Sequence, residues 1–211
     1  MLQYADICKN LESFQATCAQ THATLVLASK TIPQDTMMRL ASDYEVIYGE
    51  NRVQELCDKY FEGPTWMFIG RLQRNKVKYL VDKVSMICSV DSVELATEIE
   101  RRMAPLGRTM PVLVEVNCGE EAKGGVPMAE ADALVRMCQG MAHLEVRGLM
   151  AVLPIEGAEE AADRVQALFE ALRASLGLSV LSMGMSEDYA MALRHGSTMI
   201  RIGSAVFGRR S

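Results

Sequence analysis

The residue of this sequence with the clearest chemical potential is a lysine that closes an apolar run. The stretch "TLVLASKTIP", Thr24–Pro33, predicts a buried strand followed by a turn, and Lys30 stands where the strand ends. An ammonium group is costly to bury without a partner. Lys30 therefore either reaches solvent with its long stem or is a desolvated amine that can act as a nucleophile. The stretch by itself leaves both interpretations open.

Two segments near the C-terminus contain residue types that bind phosphate. Glycine lets backbone N–H groups come close to an anion, and serine hydroxyls add further donors. In "SMGMSED" these residues precede a predicted helix, so Ser186 could instead cap that helix, with Glu187 and Asp188 in its first turn. The two roles are compatible, since a helix N-terminus does both. Together with "RIGSAVFG", the candidates are Ser182, Gly184, Ser186, Gly203 and Ser204.

An arginine inside an apolar run is the third candidate for chemistry. Arg201 lies in "TMIRIGSAVFG", among residues that are typical of a buried strand. Its guanidinium would either point into the mouth of the fold or pair with a buried acid as a structural ion pair. The sequence leaves these alternatives open.

Short apolar runs alternate with helix-like segments along the sequence. The runs predict strands at 24–29, 46–49, 66–70, 86–90, 111–117, 144–152, 180–184 and 199–203. Seven helix-like segments lie between them, and with an amphipathic N-terminal helix they make eight helices and eight strands. Two segments, "VELATEIERRMAPLG" and "EEAADRVQALFEALRASLG", end on a glycine, as helices often do.

This alternation predicts the α/β class, a single-domain (β/α)₈ TIM barrel with an N-terminal helix before it, spanning residues 1–211. The main alternative is a Rossmann-like sheet, but "ASKTIP" stands where that fold has its glycine-rich turn. Barrels carry their chemistry at the C-terminal ends of the strands, where Lys30 falls, and often bind phosphate after strands seven and eight. An amine, phosphate donors and Arg201 together suit an aldehyde cofactor that carries a phosphate.

Composition argues against several classes of protein. The 211 residues are 49% hydrophobic and 23% charged with a net charge of -5, which suits a globular protein and not a nucleic-acid-binding one. We expect no membrane span, and charged residues near the N-terminus argue against a signal peptide. Six scattered cysteines and three histidines have no metal-binding spacing, so we expect no metal site and a reducing, cytoplasmic location.

The segments that contain these residues resemble the pyridoxal 5′-phosphate homeostasis protein family. That family is in turn similar to the barrel domain of alanine racemase, in the fold type III group. The resemblance runs from about Leu25 to Arg210. It rests on "LASKTIP", "YGENRVQE", "WMFIGRLQRNK", "VEVNCGEEAKGGV", "RGLMAV" and "LSMGMSEDYAMALRHGSTMIRIGSAVFGRR".

The resemblance implies pyridoxal 5′-phosphate (PLP) as the cofactor, held as a covalent aldimine, or Schiff base, with Lys30. A lysine attacks an aldehyde only as the free amine. An arginine at the pyridine nitrogen keeps its own proton, so the ring is left a weak electron sink and the site stabilises a carbanion poorly. The other residues implied are Ser186, Gly203 and Ser204 around the phosphate, Ser182 and Gly184 nearby, Arg201 against the pyridine nitrogen, and Asn51 and Met150 around the ring.

Two functions fit this resemblance. A carrier would hold PLP on Lys30, take part in PLP homeostasis inside the cell, and deliver PLP to PLP-dependent apo-enzymes. A small PLP-dependent amino-acid racemase or lyase would need a second base. In the racemases that base is a tyrosine of an additional domain, for which a sequence ending at Ser211 has no room, and no tyrosine here can be assigned to the role. We therefore expect a carrier without catalytic residues and, lacking the dimerising domain, a monomer.

Four cations, which we call the basic patch, follow the third predicted strand: Arg71, Arg74, Lys76 and Lys78. Such clusters are usually solvated faces, and the alternative is a docking or secondary phosphate-binding surface at the barrel mouth. Arg71 stands where the family commonly has a proline, and Gly124 where a small polar residue is more usual. The segment "MAVLPIEGAEEA" is shorter than in the family. These departures concern access to the pocket.

Overall fold

The strands of the protein form a closed parallel barrel. The computed structural model describes residues 2–120 and 123–208. The first strand lies between the second and the last, and the pairing of the fourth with the fifth closes the ring, whereas a two-residue strand pairs alongside the C-terminal end of the fifth. The predicted (β/α)₈ barrel is confirmed. The strands are β1 (Thr24–Ala28), β2 (Ile47–Glu50), β3 (Thr65–Phe68), β4 (Met86–Val90), β5 (Met110–Asn117), β6 (Val126–Pro127), β7 (Leu144–Ala151), β8 (Val180–Ser182) and β9 (Met199–Ile202).

Helices cover the outside of this ring. The N-terminal helix buries apolar side chains at helical spacing, from Ile7 to Cys18, and its Phe14 ring meets the Tyr189 ring edge-on at 4.9 Å. Gly177 ends the long helix that begins at Ala158 and has a left-handed conformation, with φ 72°, as the sequence predicts. The helices are α1 (Tyr4–Thr21), α2 (Gln34–Asp43), α3 (Val53–Lys59), α4 (Val93–Met103), α5 (Ala131–Gln139), α6 (Ala158–Leu176), α7 (Tyr189–Arg194) and α8 (Ser204–Phe207).

The connection between β3 and β4 differs from the other helical connections. It contains a 3₁₀-helix, Arg74–Tyr79, instead of an α-helix. Val77 and Leu80, three residues apart, are both fully buried. Because side chains three residues apart align along a 3₁₀-helix, this geometry places both against the core and leaves Lys78, which stands between them, exposed.

Strand side chains alternate between the barrel interior and the layer under the helices. The interior cluster is formed by Val26, Met67, Ile69, Cys88, Leu113, Met150 and Met199. Continuing this alternation, Glu115 on β5, Ser182 on β8 and Arg201 on β9 also point inward. The polar interior positions therefore lie toward the C-terminal ends of their strands, where the chemistry of a barrel is expected. Within residues 2–120 and 123–208, no helix combines the length and apolarity needed to cross a membrane.

Candidate functional site

Lys30 lies just past the C-terminal end of β1 and is half-buried. The pairing of β1 with β2 places it level with Asn51, and the pairing of β1 with β9 places Gly203 next to Ala28, two residues before it. A Cβ added at Gly203 would lie 3.3 Å from the Ala28 Cβ, so the two backbones approach closely there. Within the described parts of the chain the Lys30 amine makes no hydrogen bond or ion pair. It is therefore available to a ligand.

A set of polar side chains behind the barrel wall supports the turn that carries Lys30. We call Ser29, Glu50, Glu55 and Lys59 the Lys59 cluster. Burial raises the pKa of Glu50, while the Ser29 hydroxyl and the Lys59 ammonium act against that shift. The pKa of Glu55 is lowered. Burial acts to raise this pKa, but the hydrogen bond from the Thr31 N–H and the Lys59 ammonium have the larger combined effect. Sequence reasoning missed this cluster, although "YGENRVQE" contains both of its carboxylates.

Arg201 points into the barrel interior and is only 4% exposed. Its Nη1 donates to the Ser182 carbonyl oxygen at 3.0 Å and to Ser182 Oγ at 2.7 Å, and its Nη2 donates to the Ala151 oxygen at 3.1 Å. Burial lowers the pKa of Arg201, and nearby Cys88 and Glu115 partly offset this. Among the described residues Arg201 forms no salt bridge. The guanidinium therefore points into the barrel and is not part of a structural ion pair with a buried acid.

Glu115 is a second ionisable group in the interior, and the sequence analysis did not identify it. It is 7% exposed on β5, opposite Met150 on β7. Burial and the charge of Asp91 raise its pKa to about 7, against the lowering effect of Arg201 and Arg71. The signal that could have found it is a glutamate within the apolar run "VLVEVN", the same pattern that drew attention to Arg201.

Ser186 joins the two candidate phosphate segments. Its Oγ accepts hydrogen bonds from the backbone N–H of Gly203 at 3.4 Å and of Ala205 at 3.1 Å. The prediction that Glu187 and Asp188 occupy the first turn of the next helix is wrong, because α7 begins at Tyr189. Asp188 immediately precedes α7, and its carboxylate accepts from the Met185 N–H at 2.5 Å instead of from an N–H of the helix. Ser186 bridges toward β9, and the segments after β8 and β9 meet at one point.

The other predicted site residues lie at different depths. Ser182 is fully buried and bonded to Arg201, and Met150 belongs to the interior cluster beneath the mouth. Gly184 is buried with φ 98°, and a Cβ there would lie 2.7 Å from the Ala192 Cβ, so a side chain does not fit. Ser204 is exposed at the start of α8. Ser182 and Met150 therefore lie deeper in the barrel than the candidate phosphate segments that follow β8 and β9.

The basic patch lies on the surface beside this mouth, and its four residues are exposed. A groove of about 940 Å³ runs along it, and the lining includes Asn51, Arg52, Arg71, Gln73 and Lys76. Lys78 Nζ lies 4.8 Å from the centroid of the Tyr79 ring, within the range of a cation–π contact. The docking hypothesis for this patch stays a prediction.

The loop position of Gly124 bears on access to Glu115. A Cβ at Gly124 would lie 3.3 Å from Glu115 Oε1. Even a small side chain there would therefore press on the carboxylate, so the glycine leaves space above it. The segment after β7 reaches α6 through Gly157, with φ 70°.

The sequence matches a known protein family. Residues 5–211 match the family described as "Alanine racemase, N-terminal domain". The chain is 40% identical over 220 residues to the pyridoxal phosphate homeostasis protein of Aquifex aeolicus, with 95% of each chain covered.

Solved structures give the same architecture. The structure of PipY from Synechococcus elongatus PCC7942 with PLP bound has a TM-score of 0.83 and 28% identity, covering 96% of this chain and 100% of that one. The D-threonine aldolase of Filomicrobium marinum, at 19% identity and a TM-score of 0.80, shares the fold over 98% of this chain and 61% of its own. This chain belongs to the pyridoxal phosphate homeostasis protein family, built on the alanine racemase N-terminal domain.

Proposed function

We propose that this protein binds PLP at the mouth of the barrel, with the Lys30 amine as the covalent attachment point, and that it stores and delivers the cofactor. The observation that carries this proposal is the meeting of three features at one end of the barrel. These are the half-buried Lys30, which has no partner among the described residues, the inward cation Arg201 and the Ser186–Gly203 junction. The names of the relatives and the PLP in PipY support it.

The chain's own groups fit a phosphorylated pyridine aldehyde. The Ser186 hydroxyl uses its oxygen to accept two backbone N–H bonds, which leaves its own O–H able to donate to an anion. Ser204 adds a hydroxyl donor beside it, Gly203 keeps a side chain out of the junction, and Gly184 lets the chain turn back toward them. We assign the phosphate of the cofactor to this junction.

Arg201 would face the pyridine nitrogen. Its bonds to Ser182 and Ala151 leave further guanidinium N–H groups without a partner among the described residues, so donors remain for a ligand. When bound, the cofactor supplies an aldehyde that an amine can attack and a ring that accepts electrons. Because arginine keeps its proton, the ring nitrogen stays unprotonated and the ring accepts electrons weakly. This chemistry favours holding the cofactor over transforming an amino acid.

Glu115 is the observation that favours a second candidate function, a racemase or lyase on amino acids. A buried carboxyl group with a pKa of about 7 can give or take a proton near neutral pH. The exchange of the α-hydrogen of D- and L-amino acids in deuterated water tests this candidate. Steady exchange that is lost in Glu115→Gln would support the enzyme, whereas no exchange above the rate of free PLP supports the carrier.

Spectroscopy tests the proposed cofactor and its anchor. The purified protein incubated with PLP is expected to absorb visible light, and borohydride reduction followed by peptide mapping should place the adduct on Lys30. Lys30→Ala should lose the adduct, and Lys9→Ala, which removes an exposed lysine of α1, should keep it. A wild-type protein that stays colourless, or an adduct that maps elsewhere, would contradict the proposal.

A further inference from the structure

The turn that carries Lys30 is tied on both sides to one cation outside the barrel. Lys59 Nζ donates to the Ser29 carbonyl oxygen at 3.1 Å, to Glu50 Oε1 at 3.2 Å and to Glu55 Oε2 at 2.9 Å. These contacts use all the N–H donors of an ammonium group. The same Glu55 Oε2 accepts the backbone N–H of Thr31 at 2.9 Å. Lys59 therefore holds both neighbours of Lys30 in the chain. It bonds directly to Ser29, and it bonds to Thr31 through the shared carboxylate of Glu55.

The centre of the Lys59 cluster is closed to solvent. Ser29 and Glu50 are 0% exposed, and the Lys59 side chain is 15% exposed. Glu50 Oε1 also accepts from Ser29 Oγ at 2.8 Å, while Glu50 Oε2 has no hydrogen-bond partner among the residues that the structure describes. A buried carboxylate that loses its cation is strongly destabilised unless it takes up a proton or moves. The position of Ser29 is thus coupled to the presence of Lys59.

The backbone of Thr31 needs support of this kind. Its φ of 64° is a left-handed conformation that is rare for a β-branched residue. Such a conformation persists where surrounding contacts hold it. The hydrogen bond to Glu55 is one of those contacts. Since the direction of a side chain follows its backbone, a shift of Ser29 or Thr31 would redirect the Lys30 amine.

We propose that Lys59 is a positioning residue for Lys30. From behind the barrel wall it holds the turn at Ser29–Thr31 and so sets where the Lys30 amine points in the mouth. Its consequence for cofactor binding rests on the proposed function, but the positioning itself is a property of the chain without cofactor.

Competitive labelling of lysines measures this positioning directly. Trace reductive methylation of the cofactor-free protein, followed by peptide mass spectrometry, gives the rate at Lys30 relative to the exposed Lys9 and Lys78. In Lys59→Met we expect the relative rate at Lys30 to rise about fivefold, because the amine is released from its half-buried position. Borohydride-trapped attachment of PLP to Lys30 should in contrast slow about tenfold, since a misplaced nucleophile loses its alignment. Lys59→Arg, which keeps a cation and its donors, should restore most of both rates.

The controls separate positioning from a general loss of stability. Arg102→Met removes another ion pair, Arg102 Nε to Glu98 Oε1 at 2.7 Å on α4, and should leave both rates unchanged. A folded Lys59→Met protein with wild-type labelling at Lys30 would overturn the inference. If Lys59→Met does not fold, Glu55→Ala removes the acceptor of the Thr31 N–H and keeps the Glu50–Lys59 pair. The methylation and PLP-attachment rates at Lys30 in that variant then test the inference. If PLP does not attach to Lys30 of the wild type, the proposed function is wrong. The positioning role of Lys59 is still tested, because the methylation rates are measured without PLP.

Discussion

Arg201 and Ser182 are hydrogen-bonded inside the barrel, with Arg201 Nη1 donating to Ser182 Oγ at 2.7 Å. The remaining bonds of the guanidinium go to the carbonyl oxygens of Ser182 and Ala151. All three acceptors are neutral, so they orient the cation without neutralising it. The interior of the barrel thus carries a positive charge that is fixed in direction and available to a ligand with a lone pair.

We expect the hydrogen bond from Arg201 to the Ser182 hydroxyl to stabilise the folded protein measurably. Ser182→Ala should lower the free energy of unfolding by about 1–2 kcal/mol, because one donor of a buried cation is left with the backbone carbonyl alone. Urea denaturation measures the change. Ser89→Ala is the matched control, since Ser89 is 1% exposed and its Oγ has no partner in the described residues. Equal losses in the two variants would contradict the assigned role of the bond.

The ionisation of Glu115 should be visible in the pH dependence of the free energy of unfolding. Its folded pKa of about 7 lies above the ordinary carboxyl value, so between these two values the folded state binds more protons than the unfolded state. Stability from this group is therefore fully present below the unfolded pKa and is lost as the pH rises to about 7.

Comparison with Glu115→Gln isolates this contribution. Relative to that variant, the wild-type free energy of unfolding should fall by about 2–3 kcal/mol as the pH rises through this window. Glu94→Gln, at an exposed position of α4, is the control and should follow the wild type. A wild-type curve parallel to that of Glu115→Gln would show that the carboxyl titrates normally.

Removal of the Ser186 hydroxyl should weaken binding of the phosphate group selectively. In Ser186→Ala we expect pyridoxine 5′-phosphate, which has no aldehyde, to bind about tenfold more weakly, because a donor to the anion is lost. Pyridoxine without the phosphate should be unaffected. Isothermal titration of both ligands measures the difference, with Ser175→Ala on the exposed face of α6 as the control variant. Equal weakening of both ligands would place the phosphate elsewhere.

Charge reversal in the basic patch tests the docking hypothesis. Lys76→Glu should slow transfer of PLP to an apo-enzyme several-fold at low salt, with the difference shrinking as salt screens the charges. Arg108→Glu places the same charge change at an exposed position before β5, at the other end of the barrel, and should have no effect. Cofactor affinity and transfer that match the wild type in Lys76→Glu would leave the patch as a solvated face.

The fold could be predicted from local patterns because each strand and helix carries its own signal. The apolar runs around Val26 and Leu113, and the glycine after α6, need no knowledge of distant residues. Lys30 and Arg201 were recognisable for a related reason: a charged residue inside or at the end of a buried run is costly and draws attention wherever it occurs. The expectations of a cytoplasmic location and a monomeric state stay predictions.

The amino-acid sequence by itself determined the eight-stranded alternation and the chemical types at the mouth, since both depend on neighbours along the chain. Only the tertiary structure decided which groups face each other. Lys59 lies 30 positions along the chain from Ser29, whose carbonyl oxygen it contacts, and Ser186 lies 19 positions from Ala205. The pairing of Glu115 with Met150 likewise depends on a register shift between Val112 and Leu113, where β7 contains one extra residue. Strand pairing and shear set these contacts, and they are properties of the closed ring that no local pattern encodes.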